Sequence, residues 1–137
     1  MWAAYAALSA LFAAVTAILT KLGVENVSGS LATAIRTATV LLMSWMIVFI
    51  SGEQRALAAV SPRTMLFLTL SGVATGLSWL CYNRALQLGS VSQVAPVDKL
   101  SVVLAVILAF LFLGETPTAK TIVGGLLIAA GTLVMVL

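Results

Sequence analysis

The chain has 137 residues, 62% of them hydrophobic and 8% charged, with a formal net charge of +3 and a mean hydropathy of +1.19. A soluble domain carries about a quarter charged residues, so this composition excludes a water-soluble fold and makes the bilayer the solvent. There is no His, which removes the usual proton shuttle and most metal sites. The lone Cys81 can form no internal disulfide.

A membrane-spanning helix needs about 20 apolar residues. Five stretches meet that length: Trp2 to Leu22, Leu31 to Ser51, Pro62 to Leu88, Pro96 (or a few residues earlier) to Leu113, and Pro117 to Leu137. The fold class expected is therefore all-α, a bundle of five transmembrane helices forming one domain over 1–137. The first stretch lacks a basic leader and is too long for a secretory signal. Glycines at 23, 52, 89 and 114 follow the first four helices, where a left-handed residue closes the last turn. Ser61-Pro62 and Thr116-Pro117 each offer a capping hydroxyl and a first-turn proline, predicting the starts of the third and fifth helices.

Five spans place the two ends of the segment on opposite faces. Arg55, Arg63 and Lys120 fall on the face of residue 1. Lys21 falls on the other, with Arg36, Arg84 and Lys99 embedded in helices on that side. Orientation follows Lys and Arg in loops, and this asymmetry is small enough to permit insertion either way up.

Lipid gives helices no hydrophobic reason to associate, so small residues matter. Ala3, Ala7, Ala10, Ala14 and Ala17 form a smooth stripe. Gly72 and Gly76 make a GxxxG pair, and Gly124, Gly125 and Gly131 mark the fifth helix. These predict helix contacts. Polar residues also align. Ser71, Thr75, Ser78 and Tyr82 share a face of the third helix, with Trp79 and Asn83 beside it, and Ser9 belongs to a similar line on the first. Ser9, Thr75, Ser78, Trp79, Tyr82 and Asn83 are the candidate solute-binding residues: a rigid ring with donors and acceptors suits a polar organic solute. Anchoring of Trp79 and Tyr82 at the membrane surface is the alternative.

A charge at mid-membrane costs about 2.5–3.5 kcal/mol on insertion scales. Arg84 lies one turn before Gly89 and can snorkel there. Arg36 lies two turns inside the second helix, near its positive end, and needs a partner. Asp98 and Lys99 are adjacent, so on a regular helix they point about 100° apart and meet different neighbours. Arg36, Arg84, Asp98 and Lys99 are the candidate gate, with Asp98 expected to pair with Arg36 or Arg84. The sequence offers no nucleophile set, metal-ligand set or phosphate loop, so neither an enzyme nor a cofactor is expected. The small, dispersed charge gives no nucleic-acid partner.

The stretch "YNRALQLGSVSQVAPVDKLSVVLAVILAFLFLGETPTAKTIVGGLLIAAGTLVMVL" resembles the second half of an EamA repeat of the drug/metabolite transporter superfamily. The matching marks are Tyr82, Ala85-Leu86, Pro96, Leu113-Gly114-Glu115, Ile122, Gly124, Leu127-Ile128 and Gly131. The likeness spans essentially the whole chain, and the charged Asp98-Lys99 after the proline departs from the usual repeat. The resemblance implies a multi-pass secondary transporter of small polar metabolites or drugs in a bacterial inner membrane. Most members carry two inverted repeats. A single repeat with little charge bias suggests an antiparallel homodimer working by alternating access. A non-transporting scaffold or accessory subunit is the alternative.

Overall fold

A computed structural model describes residues 1–137 as helices and turns, with no strand. Five helices are long and apolar enough to cross a membrane: the first Trp2–Gly23, the second Gly29–Ser51, the third Pro62–Leu88, the fourth Val91–Leu113 and the fifth Ala119–Val136. The all-α, five-span expectation holds. At most 11% of any of these apolar windows is buried, so most of their residues keep surface open to lipid or another chain.

The helix ends show which side chains won the caps. Ser61 caps the third helix as expected, its Oγ accepting from the Thr64 N–H at 3.1 Å. The second helix starts at Gly29 rather than Leu31, because Ser28 Oγ accepts from the Leu31 N–H at 3.2 Å. The fifth starts at Ala119, leaving Pro117 outside. Thr118, not Thr116, is the cap, because Thr121 three residues on supplies an N–H at 3.2 Å and a hydroxyl at 2.9 Å. The fourth starts at Val91, where Gln93 Oε1 accepts from the Ser90 N–H at 3.4 Å and its hydroxyl at 3.0 Å.

Only two of the four expected glycine stops are left-handed, Gly52 (φ 76°) and Gly114 (φ 68°). The other two helix ends are satisfied differently. Thr20 O accepts from the Val24 N–H at 2.9 Å, carrying helical bonding past Gly23. Near the end of the third helix, Leu86 O accepts from Lys21 Nζ at 2.6 Å. A cation there complements the helix dipole.

The fourth helix is not one rod. Pro96 cannot donate an N–H, and the regular pattern lapses at Lys99, between Val91–Asp98 and Leu100–Leu108. The last turn, Ala109–Leu113, widens to a π-helix before Gly114.

The contacts divide the chain into two compact units, Leu19–Gln87 and Met1–Ile18 with Leu88–Leu137. In the latter, the fifth helix packs on both parts of the fourth. Buried Thr132 donates its hydroxyl to Pro96 O at 3.2 Å. In Leu19–Gln87 the buried residues are Thr20, Val24, Ala32, Thr33, Asn83 and Leu86.

The small residues make fewer contacts than their spacing predicts. Ala3, Ala7, Ala10 and Ala14 are exposed and only Ala17 is buried. A Cβ added at Gly72, Gly76, Gly124 or Gly131 would meet nothing within 4 Å, whereas one at Gly125 would touch Val103 Cγ2 at 3.9 Å. Small size permits close approach, but within this one chain most of these positions face no partner helix.

Candidate functional site

The most densely bonded polar group in Leu19–Gln87 joins the second and third helices. Asn83 is 0% exposed. Its Nδ2 donates to Thr33 Oγ1 at 2.6 Å, and its Oδ1 accepts from Arg36 Nη1 at 2.9 Å. The Thr33 hydroxyl in turn donates to Gly29 O at 2.8 Å. Thr33 and Arg36 are three residues apart and so share one helix face. The Arg36 guanidinium lies over the Trp79 ring, 5.1 Å from its centroid, within the range of a cation–π contact. Arg36 thus has the partner its depth demands, but that partner is an amide and an indole rather than an acid.

Below this cluster the second and third helices flank a recess of about 910 Å3. Its wall is apolar along Val40, Leu41, Trp45, Val48 and Leu68, with the hydroxyls of Thr37, Ser44, Ser71 and Thr75 between. Three of these hydroxyls are turned back on their own helix: Thr37 to Thr33 O, Ser44 to Val40 O and Thr75 to Ser71 O. Backbone bonding of this kind is the usual state of Ser and Thr in membrane helices. Trp79 closes one end. The 3-10 segment Glu53–Ala59 lies at the other, where Gln54 Oε1 is buried with no hydrogen-bond partner.

A second recess of about 660 Å3 lies nearer the turn between the first two helices, lined by Lys21, Glu25, Ser28, Arg84 and Gln87 among others. Gln87 organises it. Its Nε2 donates to Val27 O at 2.7 Å and Val24 O at 3.2 Å, while its Oε1 accepts from Arg84 Nη1 at 3.1 Å.

Asp98 and Lys99 do not diverge as a regular helix would require. Lys99 Nζ donates to Asp98 Oδ2 at 3.2 Å, forming an ion pair. Lys99 keeps a helical backbone (φ −72°, ψ −11°) and its N–H still bonds to Ala95 O at 3.3 Å, so the contact comes from the side chain: a four-carbon stem is long enough to fold back on its neighbour. Within Leu19–Gln87, Arg36 bonds to Asn83 and Arg84 to Gln87, while Asp98 belongs to the other unit.

Of the candidate solute-binding residues, Trp79 and Asn83 meet around Arg36, and Thr75 and Trp79 share the larger recess. Ser78 is exposed and lies outside the wall of that recess. Tyr82 is half-buried on the third helix, and Ser9 is exposed in the other unit. Thr33, Gln54 and Gln87 were not singled out from the sequence. Thr33 was legible, because it stands one turn before an arginine that needed a scaffold. The roles of Gln54 and Gln87 depend on carbonyls and turns distant in sequence or irregular in backbone, which no periodicity displays.

Comparison with known proteins agrees with this architecture. The EamA-like transporter family matches residues 1–137. A protein of Sinorhizobium sp. described as "Uncharacterized transporter in cobO 3'region" is 46% identical over 134 residues, covering 98% of this chain and 95% of that protein. No solved structure matches the chain. With five membrane-spanning helices and a family match from end to end, this multi-pass membrane protein belongs to the EamA-like transporter family.

Proposed function

We propose that the protein is a secondary active transporter of a small polar metabolite or drug-like solute in a bacterial inner membrane, working by alternating access as an antiparallel homodimer. The observation that carries this reading is the larger recess. It is apolar with a few polar groups, and Trp79 in its wall also meets Arg36, a composition suited to orienting an organic solute. Its Gly72 and Gly76 meet no other atoms within 4 Å of an added Cβ, so a second copy could approach there. An inverted partner would supply the second repeat that such transporters use. Thr75, Trp79 and Asn83 are the solute-binding core in this reading, with Ser9, Ser78 and Tyr82 as further contacts in the assembled dimer. Arg36, Arg84 and the Asp98–Lys99 pair form the gate.

Reporters fused to the C-terminus, one active in each compartment, test the dimer. Both should show activity, because Lys and Arg bias the loops little. Two or three Lys added to one loop should lock a single orientation and lower function. A wild-type chain held in one strict orientation would overturn the antiparallel dimer.

A further inference from the structure

Arg36 is held in a way that leaves its charge unbalanced. Buried Asn83 and Thr33 fix the guanidinium through two short hydrogen bonds, and Trp79 covers it at 5.1 Å. Within Leu19–Gln87 no acid forms an ion pair with it, and the partner it meets there is the Asn83 amide. A guanidinium has five N–H donors, and of these only an Nη1 hydrogen bond to Asn83 is made. The residue lies at the eighth position of the second helix, two turns past Gly29, beyond the first turn where the helix dipole acts, so the backbone does not cancel its charge. A scaffold built to neutralise an arginine would place a carboxylate where Asn83 stands. This one positions the guanidinium and leaves its fork for something else.

We propose that Arg36 is the receptor for an anionic oxygen group, a carboxylate or a phosphate, whose attached body extends past Trp79 into the recess. A planar guanidinium binds such groups through paired N–H bonds. Trp79 borders the arginine and the recess at once, so one ligand can reach both. The apolar wall along Val40, Leu41, Trp45 and Leu68 then takes a hydrophobic body. The ligand class is an amphiphilic organic anion. Either a dissolved solute or the headgroup of an anionic lipid has that chemistry. The inference deepens the transport reading and names its substrate class.

Trp79 reports on its own neighbour. In a Trp2→Phe, Trp45→Phe chain reconstituted into phosphatidylcholine bilayers, which carry no net charge, iodide and caesium quench by collision with opposite sign, and acrylamide measures neutral access. With each ion normalised to its quenching of free N-acetyltryptophanamide, iodide should quench Trp79 about tenfold more effectively than caesium, at the low end of counter-ion enrichment in a charged cleft. Arg36→Gln should bring the two ions to parity while acrylamide quenching stays unchanged. Asn83→Asp supplies the missing acid with the arginine in place, and it too should abolish the preference; it serves if Arg36→Gln does not fold. Relief of iodide quenching by benzoate or inorganic phosphate identifies a solute site, and relief by added phosphatidylglycerol beyond the loss that the same lipid causes in Arg36→Gln, where only its surface charge acts, identifies a lipid site. The proposal is overturned by equal quenching (or none) with iodide and caesium, by a preference that survives either variant, or by relief from none of the three anions. The measurement needs neither transport nor a dimer, so its failure is separable from that of the topology experiment.

Discussion

Replacing Asn83 by Leu removes two hydrogen bonds at once, and the two differ in kind. The bond from Arg36 Nη1 is charge-assisted at 2.9 Å, while the bond to Thr33 Oγ1 is neutral and shorter, 2.6 Å. Hydrogen bonds to charged groups contribute about 1.5–3 kcal/mol and neutral ones about 0.5–1.5. In membrane proteins measured couplings between polar side chains average about 0.6 kcal/mol, because the unfolded chain in lipid finds other partners. Charge should therefore outweigh distance. In two double-mutant cycles, Asn83→Leu with Arg36→Met should show a coupling of about 1.5–3 kcal/mol, and Asn83→Leu with Thr33→Val about 0.6. Reversible unfolding in mixed detergent micelles gives both numbers. If the Thr33 coupling equals or exceeds that of Arg36, the cluster is an ordinary polar contact between helices. The view that it exists to position a guanidinium then fails.

Two further perturbations separate readings of particular residues. Gly52→Ala and Gly114→Ala force a side chain into the left-handed region (φ 76° and 68°) and should each destabilise by about 1–2 kcal/mol. Gly23→Ala, helical and with open space around it, should instead stabilise by up to about 1 kcal/mol. The same micelle unfolding assay ranks all three. Asp98→Asn breaks an ion pair whose members are 37% and 57% exposed, so its effect on stability should stay within about 1 kcal/mol. A gate role is read separately, from labelling of engineered cysteines on both faces in a Cys81→Ala background: the Asn variant should shift which face is labelled, and unchanged labelling removes the Asp98–Lys99 pair from the gate.

Apolar runs of about the length a bilayer requires made the five spans legible, since length and composition together mark them. The caps were legible only where one hydroxyl was the sole candidate, as at Ser61. Where two competed, as Thr116 and Thr118 did, the outcome turned on a partner three residues downstream. Glycine after a helix was an ambiguous sign because a lysine from another helix could do the same work, as Lys21 does for Leu86 O. For the candidate site, spacing on the third helix placed Trp79 and Asn83 together and drew attention to Arg36. It could not show that Asn83 would be the arginine's partner, because that depends on how two helices pack. The direction of Lys99 was misread for a different reason: the 100° rule fixes where a side chain leaves the helix, not where the end of a long flexible lysine stem comes to rest.

The second and third helices are tied by side chains at one end only. Asn83, Thr33 and Arg36 bind them there, with Gln87 anchoring the adjacent turn, while the recess runs away from that knot toward Glu53 and Gln54. Such an arrangement is a lever with a fixed fulcrum. From Asn83 to Leu68 the third helix runs roughly 22 Å at 1.5 Å per residue, so a swing of about 5° at the knot moves the far wall by about 2 Å. The 3-10 segment Glu53–Ala59 lines the recess at the far end from that knot. A ligand drawn to the arginine would press at the fulcrum, where little displacement is needed to change the aperture at the other end.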